Sequence, residues 1–339
     1  MPRQLLRQLN STSDVTHLAL GNSLMAAGFK AAAFDADIKP MRAVGFNAAL
    51  GATDPVEHLM LLRRVLRRGQ TLTTVIYGFF DFQLTEPPLA TNSDLIGNRA
   101  ASYYLEPDLA LKYYEMSPRD RLEFSLMRHV PIMVERGAIW QKVELMRRAM
   151  SQLGMPPVAI NRMGQVSDFA MLEAGSPAAF TAHCDRSIAE HAKLSAPILQ
   201  IIAESKAHGA RVVIVEMPMH PFHQRTFYSL PAWNRYRDYV RTLVEQAGAV
   251  YLNASDWIER PDEFADHLHL SASGADDFSR RLADYLRDSN AANSAAPAAP
   301  LVLDPREIEL RSSLETPSDL HRQPRRIVES PTCLDRRPD

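Results

Sequence analysis

The chain is poor in cysteine. Cys184 and Cys333 are the only two in 339 residues, too few for a disulfide framework or a four-cysteine zinc module. It also lacks an excess of charge of either sign. Thirty-eight Lys and Arg stand against 40 Asp and Glu, a net charge of -2, so there is no basic footprint for nucleic acid. No apolar run reaches the roughly 18 residues that a membrane span needs. The opening stretch Met1-Pro2-Arg3-Gln4-Leu5-Leu6-Arg7 is too polar for a signal peptide. That predicts a cytoplasmic protein, unless an export segment precedes this start. What is present is a globular composition, 46% hydrophobic and 23% charged, long enough for one large domain or two smaller ones.

The last part of the chain stands apart. Residues 289–300 are mostly Ala, Asn, Ser and Pro, and from 301 to 339 charges of both signs alternate with prolines. No apolar periodicity is sustained there to offset the entropy of ordering. Residues 289–339 therefore read as a disordered tail behind a domain at 1–288. Within that domain, strand-like and helix-like segments alternate. Short apolar runs at 15–20, 42–47, 71–77, 211–216 and 249–252 read as strands. Helices are expected at 24–34, from 55 onward, at 189–208, 231–247 and 273–287. The second opens with Asp54 as cap, Pro55 in the first turn and Glu57 behind it. Residues 84–186 break the rhythm and read as a helical insertion. Five strands with helical crossovers predict an α/β protein, a three-layer α/β/α flavodoxin-like fold with a mostly parallel five-stranded sheet. Such sheets bind ligands beyond the carboxyl ends of their strands, so chemistry is expected just after residues 20, 47, 77, 216 and 252.

Two motifs sit at those places. Gly21-Asn22-Ser23-Leu24 follows the first strand and opens a helix. A serine there can be a nucleophile beside free backbone N–H groups, or simply a helix cap, the commoner role. Asp266-His267-Leu268-His269 follows the last strand. His269 could take a proton from Ser23 while Asp266 orients its ring; taken alone, the segment reads as a polar surface loop. The nucleophile elbow of α/β-hydrolases, G-x-S-x-G, fits worse, because Met25 replaces the second glycine.

Together the two motifs resemble those of the SGNH, or GDSL-like, hydrolase family. The resemblance covers roughly residues 15–83 and 187–287. It implies Ser23 as nucleophile, His269 as base and Asp266 as its partner. It further implies Ser23 and Gly51 backbone N–H groups in an oxyanion hole, with no cofactor. The expected activity is hydrolysis of a small-molecule or carbohydrate ester through an acyl-serine. Transfer of the acyl group to a carbohydrate, or a binding protein that kept the fold without catalysis, are the alternatives. The family's third block, G-x-N-D, reads Gly78-Phe79-Phe80-Asp81 here. Phe80 stands where a side-chain amide would donate to the oxyanion, and one such donor is worth about 10²–10³ in rate. Asn22, Asn47, Phe80, Asp81 and His220 are the other residues expected at the pocket, and Asn47 is one candidate for the missing donor.

The remaining features read more plainly. His220 and His223 with Asp266, His267 and His269 lack a zinc-type spacing, and Pro221 prevents a regular helical pair; no metal is expected. Tyr103-Tyr104, Tyr113-Tyr114 and Trp140 could line a lid over the pocket, but read better as the core of the insertion. Arg63, Arg64, Arg67 and Arg68 read as a solvated helix face, and Cys184 as structural.

Overall fold

A computed structural model describes residues 2–38, 43–51, 53–85, 107–114, 117–119, 121–122, 126 and 176–295. The chain divides into two units, Met1–Ala291 and Ala292–Asp339. Sheet and candidate site belong to the first.

The β-branched and apolar runs form five strands: β1 His17–Gly21, β2 Gly45–Asn47, β3 Thr74–Phe79, β4 Arg211–Glu216 and β5 Val250–Asn253. They lie in the order β2-β1-β3-β4-β5, and every pairing is parallel. Each residue of β1 and β3 is buried, on both sides of the pleat, so layers cover both faces. The chain enters at β1, moves outward to β2, then crosses back to β3. Successive connections therefore diverge beyond the carboxyl ends of β1 and β3, the place where open sheets of this kind bind ligands. Glycines let the chain turn there. Gly21 has φ +147°, and a Cβ on it would stand 2.7 Å from the Gly78 carbonyl oxygen.

Around the sheet lie α1 Pro2–Ser11, α2 Ser23–Gly28, α3 Ala31–Asp37, α4 Pro55–Arg67, α5 Pro107–Tyr113, α6 Pro177–Ala189, α7 Ala196–Ala207, α8 Pro231–Gln246 and α9 Ala272–Ala295. The sequence reading contains no α1, which buries Leu5 and Leu9. The helix expected at 24–34 is two helices. Its apolar pattern runs on across the break, but distant side chains take the backbone groups there. Asn47 Nδ2 donates to Phe29 O at 2.7 Å, and Lys30 N donates to Ser279 Oγ at 2.8 Å. The helix expected at 189–208 starts instead at Ala196. His191 adopts φ +52°, and Ser195 N donates to Leu84 O at 2.8 Å. The last helix continues past 287 to Ala295. Residues 296–339 of the expected tail lie outside the described residues, as do Tyr103, Tyr104 and Trp140.

Part of the described 84–186 stretch packs, while Leu122 and Leu126 are exposed. Tyr114 is buried and its hydroxyl donates to Asp54 Oδ2 at 2.6 Å, while Tyr113 bonds Gln200. Cys184 is buried, and burial, with Asp185 nearby, pushes its thiol up to about 12, which leaves it unreactive. The Arg63 guanidinium does not simply face solvent. Its Nε meets both carboxylate oxygens of Glu204, at 2.9 and 3.0 Å, and so fastens α4 to α7.

Candidate active site

Asn22 turns the chain from β1 into α2. Its Oδ1 accepts from Leu24 N at 2.9 Å, which makes Asn22 the helix cap. Ser23, one position later, is relieved of that role and its hydroxyl is turned elsewhere. Ser23 Oγ lies 2.9 Å from Nε2 of His269, across 246 positions of sequence.

The segment that carries His269 is folded tightly by local chemistry. Phe264 and Leu270 form an antiparallel bridge, with Ala265 N on His269 O and Ser271 N on Glu263 O, both at 2.8 Å. Inside it, Asp266 Oδ1 accepts Leu268 N at 2.8 Å and His269 N at 2.7 Å, and Oδ2 lies 2.8 Å from His269 Nδ1. A three-residue spacing suits this turn: one carboxylate caps the backbone of the residue whose ring it also meets. Burial opposes ionisation of Asp266, but the two backbone N–H groups and the imidazole outweigh it and hold the carboxyl below the usual range. The carboxylate is an acceptor only, so Nδ1 carries the ring proton and Nε2 accepts from the Ser23 hydroxyl. The side chains of His269 and Asp266 remain 31% and 28% exposed, so the pair can be reached from solvent.

Two backbone donors stand open beside Ser23. Its own N–H opens α2, and Gly51 N–H follows β2; neither has a partner among the described residues. Gly51 is close by: a Cβ on it would meet Ser23 Cβ at 3.7 Å. The peptide joining Leu50 to Gly51 is held from behind by a chain of buried groups. Thr53 Oγ1 donates to Leu50 O at 2.7 Å. Its one hydrogen is thereby used, so His58 Nε2 is the donor in the 2.8 Å contact with Thr53 Oγ1. Nδ1 of His58 then accepts from the Tyr77 hydroxyl at 2.9 Å. Burial drives His58 down to about 3, against a smaller opposite pull from the Gly21 backbone, so the ring is neutral and the order of donors is fixed.

Three residues expected at the pocket have other work. Asn47 does not offer a free donor: Nδ2 is spent on the carbonyls of Met25, Ala26 and Phe29, and Oδ1 accepts Ala49 N. Asp81, with φ +46°, turns to the loop after β4. Its N–H donates to Tyr228 Oη, and its Oδ1 accepts the Tyr228 hydroxyl at 2.8 Å and lies 3.2 Å from His223 Nε2. His220 caps a short helical turn, Pro221–His223, by accepting Phe222 N, and its ring meets Phe264 edge-on. Burial, then Arg225 and His267, lower its pKa. Phe80 is half-buried against the core. Among the described residues no three His, Cys, Asp or Glu side chains converge as metal ligands.

Sequence reasoning missed Gln83. It lies in the turn after β3, its own N–H on Phe80 O at 3.3 Å, and its Oε1 accepts from Asn22 Nδ2 at 3.2 Å. Nothing local marks it, since the contact spans 61 positions. The chain Thr53–His58–Tyr77 was also missed, because nothing in the residues around His58 marks its ring as buried.

No protein-family model matches the chain, and no curated protein sequence matches it. Solved structures similar to it include a GDSL-like lipase from Bacteroides thetaiotaomicron, at 7% identity and TM-score 0.37, over 85% of this chain and 98% of that one. A lipase/acylhydrolase from Enterococcus faecalis gives 10% and 0.38, over 81% and 97%. A carbohydrate acetylesterase from Sinorhizobium meliloti gives 11% and 0.37, over 81% and 99%. Among the described residues no helix is long and apolar enough to cross a membrane.

Proposed function

We propose that the chain is a serine hydrolase that cleaves an ester of a small molecule or carbohydrate through an acyl-Ser23 intermediate. The observation that carries this reading is the Ser23–His269–Asp266 series, with Oγ to Nε2 at 2.9 Å and Nδ1 to Oδ2 at 2.8 Å. Both distances lie within reach of proton transfer and ring orientation.

In the reaction, Ser23 Oγ bonds to the carbonyl carbon as its proton passes to His269 Nε2. The carbonyl π pair moves onto oxygen, where the N–H groups of Ser23 and Gly51 receive it. Collapse restores the carbonyl and expels the alcohol, which takes the proton from His269. Water then adds to the acyl-enzyme by the same route, with His269 as base, and releases the acid and free Ser23. Asp266 stays anionic throughout and stabilises the transient imidazolium.

Covalent labelling with a fluorophosphonate tests the reading. Wild type is expected to react and Ser23→Ala to stay unlabelled and inactive on p-nitrophenyl acetate. Equal labelling of the two proteins would remove Ser23 from the chemistry.

A further inference from the structure

We infer that Gln83 supplies the side-chain amide donor that Phe80 cannot, with its Nε2 hydrogens directed to the carbonyl oxygen of the bound ester. This rests on the ester-cleavage reading above and adds a third donor to its oxyanion hole.

Two amides in series fix the orientation. A backbone N–H can only donate, so the bond from Leu24 N, at 2.9 Å, identifies the accepting atom of Asn22 as its oxygen. Asn22 therefore presents Nδ2 to Gln83, and the contact at 3.2 Å requires the oxygen of Gln83 on that side. Turning the Gln83 amide over would set two N–H groups against each other. Nε2 thus faces away from Asn22, and its hydrogens have no partner among the described residues.

Position and chemistry agree with the role. Asn22 immediately precedes Ser23 in sequence, so an amide anchored on Asn22 stands at the same carboxyl end of β1 as the two open backbone donors. Between Gly78 and Thr85 Gln83 is the one side-chain amide. The turn that bonds its N–H to Phe80 O carries the chain past Phe80 and brings Gln83 back toward β1. Asn47 and Asp81, the other polar side chains considered near this edge, are committed to the end of α2 and to Tyr228 and His223. A neutral amide is also the right chemical type. It donates to a developing oxyanion without bringing a charge that must itself be desolvated.

The test separates donating from anchoring. Gln83→Glu keeps an oxygen for Asn22 Nδ2 but has no hydrogen to give; Gln83→Ala removes both. With p-nitrophenyl acetate, both variants are expected to lose about 10²–10³ in kcat with KM little changed. Inhibition by an alkyl boronic acid, whose adduct on Ser23 mimics the tetrahedral intermediate, is expected to weaken in parallel. Thermal melts check that each variant is folded, and should Gln83→Ala fail to fold, Gln83→Glu decides alone. A Glu variant with wild-type kcat and boronate affinity, beside an inactive Ser23→Ala, would overturn the Gln83 assignment and leave the parent reading intact. A wild-type chain that reacts with neither ester nor fluorophosphonate, or a Ser23→Ala variant as active as wild type, would overturn the parent reading and this inference with it.

Discussion

Asp266 serves two masters, and its two oxygens share the work unequally: Oδ1 also lies 3.0 Å from His269 Nδ1. Oδ1 accepts the N–H groups of Leu268 and His269, while Oδ2 makes the shorter contact with His269 Nδ1, at 2.8 Å. The division makes Asp266→Asn a clean probe. An asparagine keeps the backbone bonds if its oxygen stays where Oδ1 was, and its NH₂ then replaces Oδ2. The nearer neighbour of His269 Nδ1 is then an N–H donor, which outweighs the 3.0 Å contact with the remaining oxygen and favours Nδ1 as acceptor and the ring proton on Nε2. That nitrogen can no longer take a proton from Ser23. We expect folding to survive and kcat to fall by about 10⁴-fold, the scale on which a wrong imidazole tautomer disables a serine triad. Steady-state kinetics beside circular dichroism checks this. A kcat within a few-fold of wild type would mean that Asp266 does not set the tautomer.

At the scale of elements, the segment from β2 to α4 is a device for holding one peptide. Leu50 O and Gly51 N–H belong to the same planar trans unit and point in opposite directions. Fixing the carbonyl through Thr53 therefore aims the N–H, and an amide whose oxygen is already bonded donates more strongly. Thr53→Val keeps the shape but removes the hydroxyl, freeing Leu50 O and leaving His58 Nε2–H without an acceptor. The expected result is a fall in kcat of up to about 10²-fold, as when a reacting group is misplaced, with KM largely held. The unfolding free energy should drop by about 1–3 kcal/mol for the stranded buried donor. A stability loss with unchanged kcat would show that the chain supports the fold and not the Gly51 N–H. Where an element is governed by local chemistry, it is legible in sequence: Asp54, Pro55 and Glu57 predict the start of α4, and the capping box is present there. The break between α2 and α3 is not legible, because Asn47 and Ser279 impose it from other parts of the chain. The expectation for Asn47 fails and Gln83 goes unnoticed for the same physical reason: an amide side chain takes whichever partner the tertiary fold brings to it.

At the scale of the whole molecule, the alternation of buried runs with amphipathic helices predicts the parallel sheet, and the sheet in turn predicts which loops share an edge. Ser23 and His269 are remote in sequence but follow β1 and β5 at the same end, so their meeting is legible from topology even though the contact itself is not. The interior histidines are not legible as interior, since nothing in the residues around them distinguishes a buried imidazole from an exposed one. They set how stability responds to acid. Burial, then Arg211, lowers His17 to about 4, and burial lowers His58 to about 3. Both folded values lie below the unfolded value of about 6.5, so between these limits the unfolded chain binds protons that the folded chain refuses. Stability therefore falls as the pH drops below about 6.5, and keeps falling until about 4 for His17 and about 3 for His58, by at most about 1.4 kcal/mol per pH unit for each ring. His17 is the better one to test. Its ring lies 5.3 Å from that of Phe34, and Nε2 is buried without a partner, so a phenyl ring can take its place. Urea unfolding at pH 6.5 and pH 5 should show wild type losing about 1.6 kcal/mol more than His17→Phe across that interval. Equal losses in the two proteins would mean that His17 accepts its proton while folded, and that the amino end of β1 admits water.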